Sequence, residues 1–124
     1  MLAGEVYSAI DPQLLEELNR GKQWVQQYNA LPATDMVAKR QMLKMMLGHV
    51  ADDEIIINQP FYCDYGRQIS VGKRFFANFN FTVLDEAPVT IGDNVTIGAG
   101  SVVVSDIPSG VIAVGNPCHV IKTI

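Results

Sequence analysis

The chain has 124 residues, 48% of them hydrophobic and 18% charged, a balance that fits one folded domain and excludes an intrinsically disordered chain. Its net charge of −4 argues against a nucleic-acid partner, which needs a basic face, and no apolar run reaches membrane-spanning length. With no signal-peptide, twin-arginine or lipidation pattern in the opening Met-Leu-Ala-Gly-Glu, and no CxxC or Cys/His grouping around Cys63 and Cys118, the expectation is a cytoplasmic protein without a metal site, its two thiols packed or idle.

Asp11-Pro12 is a helix start, an N-cap followed by proline at the first helical position. Leu14, Leu15, Leu18, Trp24, Val25 and Tyr28 then recur near helical spacing, and Gly21 in their midst is expected to weaken or bend the helix. After the turn signal Leu31-Pro32, Asp35 caps a second helix whose Met42, Leu43, Met46 and Leu47 form an apolar stripe ending at Gly48. Residues 1–50 thus read as a helical hairpin with one apolar face, its methionines serving as adaptable packing.

Residues 51–124 carry a different signal, β-branched and aromatic residues punctuated by glycine and asparagine. Val71, Ala77 and Val83 are six residues apart, and Ile91, Ile97 and Val103 resume that spacing after two extra residues. Phe75, Phe81, Ala87, Val95, Ser101 and Ile107 stand four positions after these six. A six-residue period fits a parallel β-helix, in which each hexapeptide supplies a short strand and a corner and three make one triangular coil. Glycine and asparagine would then serve corners with positive φ. A Gly-rich β-sandwich is the alternative reading of the same spacing.

Pro60-Phe61-Tyr62-Cys63-Asp64-Tyr65-Gly66, Ile69-Ser70-Val71-Gly72 and Phe75-Phe76-Ala77-Asn78-Phe79-Asn80 together resemble the maltose and galactoside O-acetyltransferases, a family of hexapeptide-repeat acyltransferases. The opening Met-Leu-Ala-Gly-Glu, the segment Ile97-Gly98-Ala99-Gly100-Ser101 and the tail Gly115-Asn116-Pro117-Cys118-His119-Val120-Ile121-Lys122 are similar to that family too. The resemblance implies a mainly β fold, a left-handed parallel β-helix with the N-terminal helical hairpin, assembled as a homotrimer with active sites between subunits. It also implies acetyl-coenzyme A as donor, a sugar or similar hydroxyl as acceptor, and one histidine as general base. By the same resemblance Asp64, Asn78 and Glu86, with Asp85 adjacent, match the acceptor pocket. Gly98, Ala99, Gly100 and Ser101 match the coil beside the coenzyme's pantetheine arm, with Ser105, His119 and Lys122 on the donor side. A plain surface role for His119, and corner roles for the glycines and serine, stand beside that reading.

The departure from the family is at one junction, where Val89-Thr90-Ile91-Gly92-Asp93-Asn94-Val95 leads straight into Thr96-Ile97-Gly98-Ala99-Gly100-Ser101. The family places several coils and a long protruding loop there, and Val-Thr-Ile-Gly-Asp-Asn commonly stands on both sides of them, so a natural deletion, an engineered deletion and a segment missing from the sequence as given would each leave this junction in phase. The lost coils carry the catalytic histidine; His49 and His119, the two histidines present, match no such position, and no catalytic residue is assigned. The expectation is an acetyltransferase by family with impaired turnover, the alternative being an inactive trimeric β-helix that binds or scaffolds. Cys63 has no histidine predicted beside it and reads as packing.

Overall fold

The structure, a computed structural model, describes residues 11–124; the family-like opening Met-Leu-Ala-Gly-Glu lies outside them. Helix α1 runs Pro12–Ala30, with the Asp11 side chain accepting from the Gln13 amide at 2.9 Å. It stops where Leu31, preceding Pro32, turns extended. Helix α2 runs Met36–Met46 under the Asp35 cap, which accepts from the Ala38 amide at 3.1 Å.

Eleven short strands follow. β1 (His49–Val50), β4 (Ile69–Val71) and β7 (Val89–Ile91) form one sheet, and β3 (Phe61–Cys63), β6 (Phe81–Val83) and β9 (Val102–Val103) form another. The remaining sheet stacks β2 (Ile56–Ile57), β5 (Phe76–Ala77), β8 (Thr96–Ile97), β10 (Val111–Val114) and β11 (His119–Thr123). Every pairing is parallel except β10 with β11. Parallel pairing between sheets visited in rotation is a β-helix and rules out the sandwich.

Val71 pairs with Ile91, Ala77 with Ile97 and Val83 with Val103, so one coil takes 20 residues, three hexapeptides plus a two-residue corner extension. That extension lies after Val83 and overturns one expectation: Ala87 is exposed, and Val89 fills the core position instead. The next corner is short, since Ile107 bridges to Ile91. The repeating glycines also differ from expectation. Positive φ falls at Arg74, Asn80 and Asn94 and at Gly66, Gly100, Gly110 and Gly115. Gly72 and Gly92 instead let coils stack closely: a Cβ on Gly72 would stand 2.6 Å from the Gly92 carbonyl carbon.

The hairpin covers the first coil. Leu43, Met46 and Leu47 are buried, with Met42 packed against them. The Tyr28 hydroxyl donates to the Ile57 carbonyl at 2.5 Å, and Asn29 brackets Phe61, accepting from its amide at 2.8 Å and donating to its carbonyl at 3.0 Å. Behind them Phe61 stacks on Phe81 with centroids 5.5 Å apart, and Phe75 leans on Phe81 at 5.6 Å. These contacts satisfy backbone groups that an open coil end would leave bare.

Gly21 does not break α1. It is buried, and a Cβ there would stand 2.0 Å from the Asp64 carbonyl oxygen. Alanine in mid-helix is normally favoured over glycine by about 0.5–1 kcal/mol. Here Gly21→Ala is expected to destabilise by about 1–3 kcal/mol through overpacking, as read from urea unfolding; a stabilised variant would mean that α1 does not sit on this corner.

Candidate functional site

Strand directions are set by the coil, so side chains that face solvent in fixed positions sit at the three edges where sheets meet. The edge between the β3-β6-β9 and β1-β4-β7 sheets carries Asp64 in one coil and Asp85 and Glu86 in the next. Asp85 is fully buried. Its Oδ1 accepts from the amides of Asp64 and Tyr65, each at 3.0 Å, and its Oδ2 from the amide of Gly66 at 2.8 Å. Both oxygens thus bind the backbone of the preceding coil, a structural role that the expectation of an acceptor contact did not include.

Asp64 is half-buried, and its Oδ2 is enclosed with no hydrogen-bond partner in the described structure. Burial, followed by the charges of Asp85 and Glu86, holds its carboxyl above the usual carboxylate range. Glu86 is exposed and borders a groove of 320 Å³ with Leu84, Ala87, Pro88, Val89 and Val104. Next to Asp64 in the chain, burial and then the charges of Asp85 and Asp64 push the Cys63 thiol up, which disfavours the thiolate.

The edge between the β2-β5-β8-β10-β11 and β3-β6-β9 sheets carries Asn78 and, one coil on, Gly98, Ala99 and Gly100; Ala77 and Ile97, which precede Asn78 and Gly98, are in register. The Asn78 side-chain oxygen accepts from the Phe79 amide at 2.8 Å, so its amide nitrogen is the group left to meet a ligand. Ala99 is exposed, and Gly100 adopts φ +74° with open space where a side chain would be. Gly98 has a packing reason, since a Cβ would stand 2.6 Å from Val114 Cγ2. Ser101 is buried; its hydroxyl donates to the Gly98 carbonyl at 2.6 Å and accepts from the Gly115 amide at 3.1 Å. Ser101 therefore locks the corner between Gly98 and Gly115. His119 and Lys122 lie exposed on β11, and Ser105 is exposed beyond β9.

The predicted acceptor and donor residues thus fall on two edges of one chain, Asp64 and Glu86 on one, Asn78 and Ala99-Gly100 on the other. Neither histidine joins them in a catalytic arrangement. His49 is exposed in β1 on another face, and His119 sits in the tail with Nδ1 3.3 Å from the Pro117 carbonyl. Among the described residues no group of His, Cys, Asp and Glu could hold a metal ion, and no helix is long and apolar enough to cross a membrane. The roles that sequence reasoning missed, those of Asp85, Ser101 and Gly21, are all burial effects.

Comparison with known proteins follows the same lines. The maltose acetyltransferase hexapeptide capping motif matches residues 1–51. A putative acetyltransferase of Saccharomyces cerevisiae is 35% identical over 179 aligned positions, covering 100% of this chain and 91% of the yeast protein. The galactoside O-acetyltransferase of Escherichia coli is 27% identical, covering 98% of this chain and 86% of that enzyme. Among solved structures, a galactoside acetyltransferase in complex with coenzyme A shares the fold at TM-score 0.68 and 26% identity, covering 94% of this chain and 84% of that one. Because all 124 residues are spread over 179 positions of the yeast alignment, 55 of those positions face no residue of this chain.

The enclosed, unpartnered Asp64 should cost stability wherever it is ionised. A carboxyl raised in the folded state is penalised at neutral pH, and the penalty disappears as pH falls through the raised value toward the ordinary 3.8. Asp64→Asn is therefore expected to raise the melting temperature at pH 7 and to lose that advantage below about pH 4. Equal melting temperatures at both pH values would show that Asp64 carries no such strain.

Proposed function

The chain belongs to the maltose and galactoside O-acetyltransferase family of hexapeptide-repeat proteins, and on that premise we propose that it receives acetyl-coenzyme A and a sugar or similar hydroxyl acceptor but transfers the acetyl group slowly. In the transfer the acceptor hydroxyl oxygen forms a bond to the thioester carbonyl carbon, the carbon–sulfur bond breaks, and coenzyme A leaves as the thiol. The hydroxyl proton needs a base, and a positioned one supplies typically about 10²–10⁴-fold in rate.

The observation that carries the impaired reading is the closed junction at Val95. The Phe76 amide donates to the Val95 carbonyl at 3.0 Å, and the coil that spans the junction keeps the 20-residue register. We assign the 55 unmatched positions to this junction, which leaves no coil to carry a base. Binding groups remain: Asp64 and Glu86 for sugar hydroxyls, with Asn78 across the sheet, and Ala99 and Gly100 where a thin coenzyme arm can approach backbone. His119 and Lys122, exposed on β11, are the candidates for coenzyme phosphates, whereas Ser105 follows β9 at the other edge, one coil beyond Asp85 and Glu86.

The split of these residues over two edges favours a homotrimer in which one subunit's acceptor edge faces its neighbour's donor edge. Exposed Tyr62 in β3, with Phe79 and Leu84 flanking β6 and Val104 just after β9, supplies apolar surface for such contacts. Sedimentation should give a trimer at micromolar concentration, and a stable monomer would remove the intersubunit site. A trimeric binding or scaffold protein without turnover is the second reading, favoured by the position of His49 and His119 away from both edges.

Inserting the family's coils in phase after Asn94, once with their histidine and once with alanine in its place, separates a lost base from a damaged scaffold. The histidine version should turn over about 10²–10⁴-fold faster than the alanine version. Equal rates would overturn the lost-base account.

A further inference from the structure

Three consecutive amides, those of Asp64, Tyr65 and Gly66, point at one buried carboxylate, that of Asp85 in the following coil. Successive backbone N–H groups converging on one anion form a nest, and charge-assisted bonds of this kind are stronger than neutral ones. The corner that Asp85 holds is fixed from other sides as well. Gly21 of α1 abuts the Asp64 carbonyl, and a Cβ on Gly66, at φ +84°, would stand 2.7 Å from the Met46 carbonyl oxygen. From outside, Gln68 Nε2 donates to the Asp85 carbonyl at 3.0 Å and the Glu86 carbonyl at 3.1 Å, tying the two corners together.

Everything about this corner is held except one group. The Asp64 carboxylate leaves Oδ2 without a partner in the described structure, although the backbone on which it stands is bound on three sides. A fixed backbone beneath a carboxylate with spare acceptor capacity is what directional recognition of a hydroxyl requires. We propose that Asp85 is a positioning residue, which by gripping the amides of residues 64–66 aims the Asp64 carboxylate at the acceptor's hydroxyl groups. The proposal rests on the reading of Asp64 as an acceptor-binding residue and deepens it, since Asp85 touches no acceptor itself.

Asp85→Asn keeps the shape but turns an amide nitrogen toward one of the three N–H donors. If Asp85 acts through Asp64, Asp85→Asn should weaken binding of maltose or a galactoside at least tenfold, as read by calorimetry on the protein as it stands. In an Asp64→Asn background the same change should add nothing. Gln68→Ala, which loosens the corner while leaving the Asp85 carboxylate and its three amides in place, should give a smaller loss in the same direction and the same lack of additivity, and it serves where Asp85→Asn does not fold. Losses that add, or unchanged affinity in both variants, would overturn the proposal. A second readout needs no sugar. In Asp85→Asn or Gln68→Ala the amide resonances of residues 64–66 and the Asp64 carboxyl carbon should shift while those of α1 away from Gly21 stay put. An unmoved Asp64 carboxyl overturns the proposal; a moved one with no sugar bound by the parent protein would retain the positioning and refute the acceptor reading of Asp64.

Discussion

A stack of coils made of two- and three-residue strands has no stability of its own: each strand is held by the coil before and the coil after, so the first and last coils need covers. Here the covers are unlike each other. Tyr28, Asn29 and Gln59 bind the helical hairpin to the first coil, with Gln59 Nε2 donating to the carbonyls of Tyr28 and Leu31 at 2.9 and 2.8 Å. At the other end β11 turns back antiparallel on β10 and completes the longest sheet. Between them the aliphatic columns and the Phe61, Phe75 and Phe81 rings fill the narrow interior.

Because strands are locked by register, variation is left to the corners, and the chemistry follows. The corner extension after Val83 brings Asp85 inward and leaves Glu86 outward, so neighbouring acidic residues acquire opposite duties. At the other edge Ser101 turns inward to bond Gly98 and Gly115 while Ala99 and Gly100 stay open. Each edge thus has an inner residue that shapes the backbone and an outer one exposed to solvent. Asp64 combines an anchored backbone with a carboxylate that burial and like charge disfavour, the kind of local cost that marks functional positions.

Much of this was legible in the sequence. The hexapeptide period revealed the β-helix, the Asp11-Pro12 and Asp35 caps located both helices, and the Leu43 and Met46 stripe pointed to the docked hairpin. What stayed hidden depends on approach between distant segments. Gly21 looks like a helix weakness until Asp64 is seen against it. Asp85 and Glu86 are adjacent acidic turn residues, and nothing local says which one is buried. Ala87 was misplaced because a strict six-residue count does not register where a corner has lengthened. The repeating Gly72 and Gly92 look like turn glycines, yet their role is close stacking.

The proposed function is that of a scaffold which keeps its binding edges while lacking a base for the acceptor hydroxyl. Its most direct test is the pH profile of thiol release from acetyl-coenzyme A in the presence of maltose or a galactoside, using protein whose intact mass equals that of these 124 residues. An enzymatic imidazole base would impose an inflection near its ordinary value of about 6.5. The account predicts slow release with no such inflection. Brisk release that rises through an inflection near neutrality, and depends on the sugar, would contradict it.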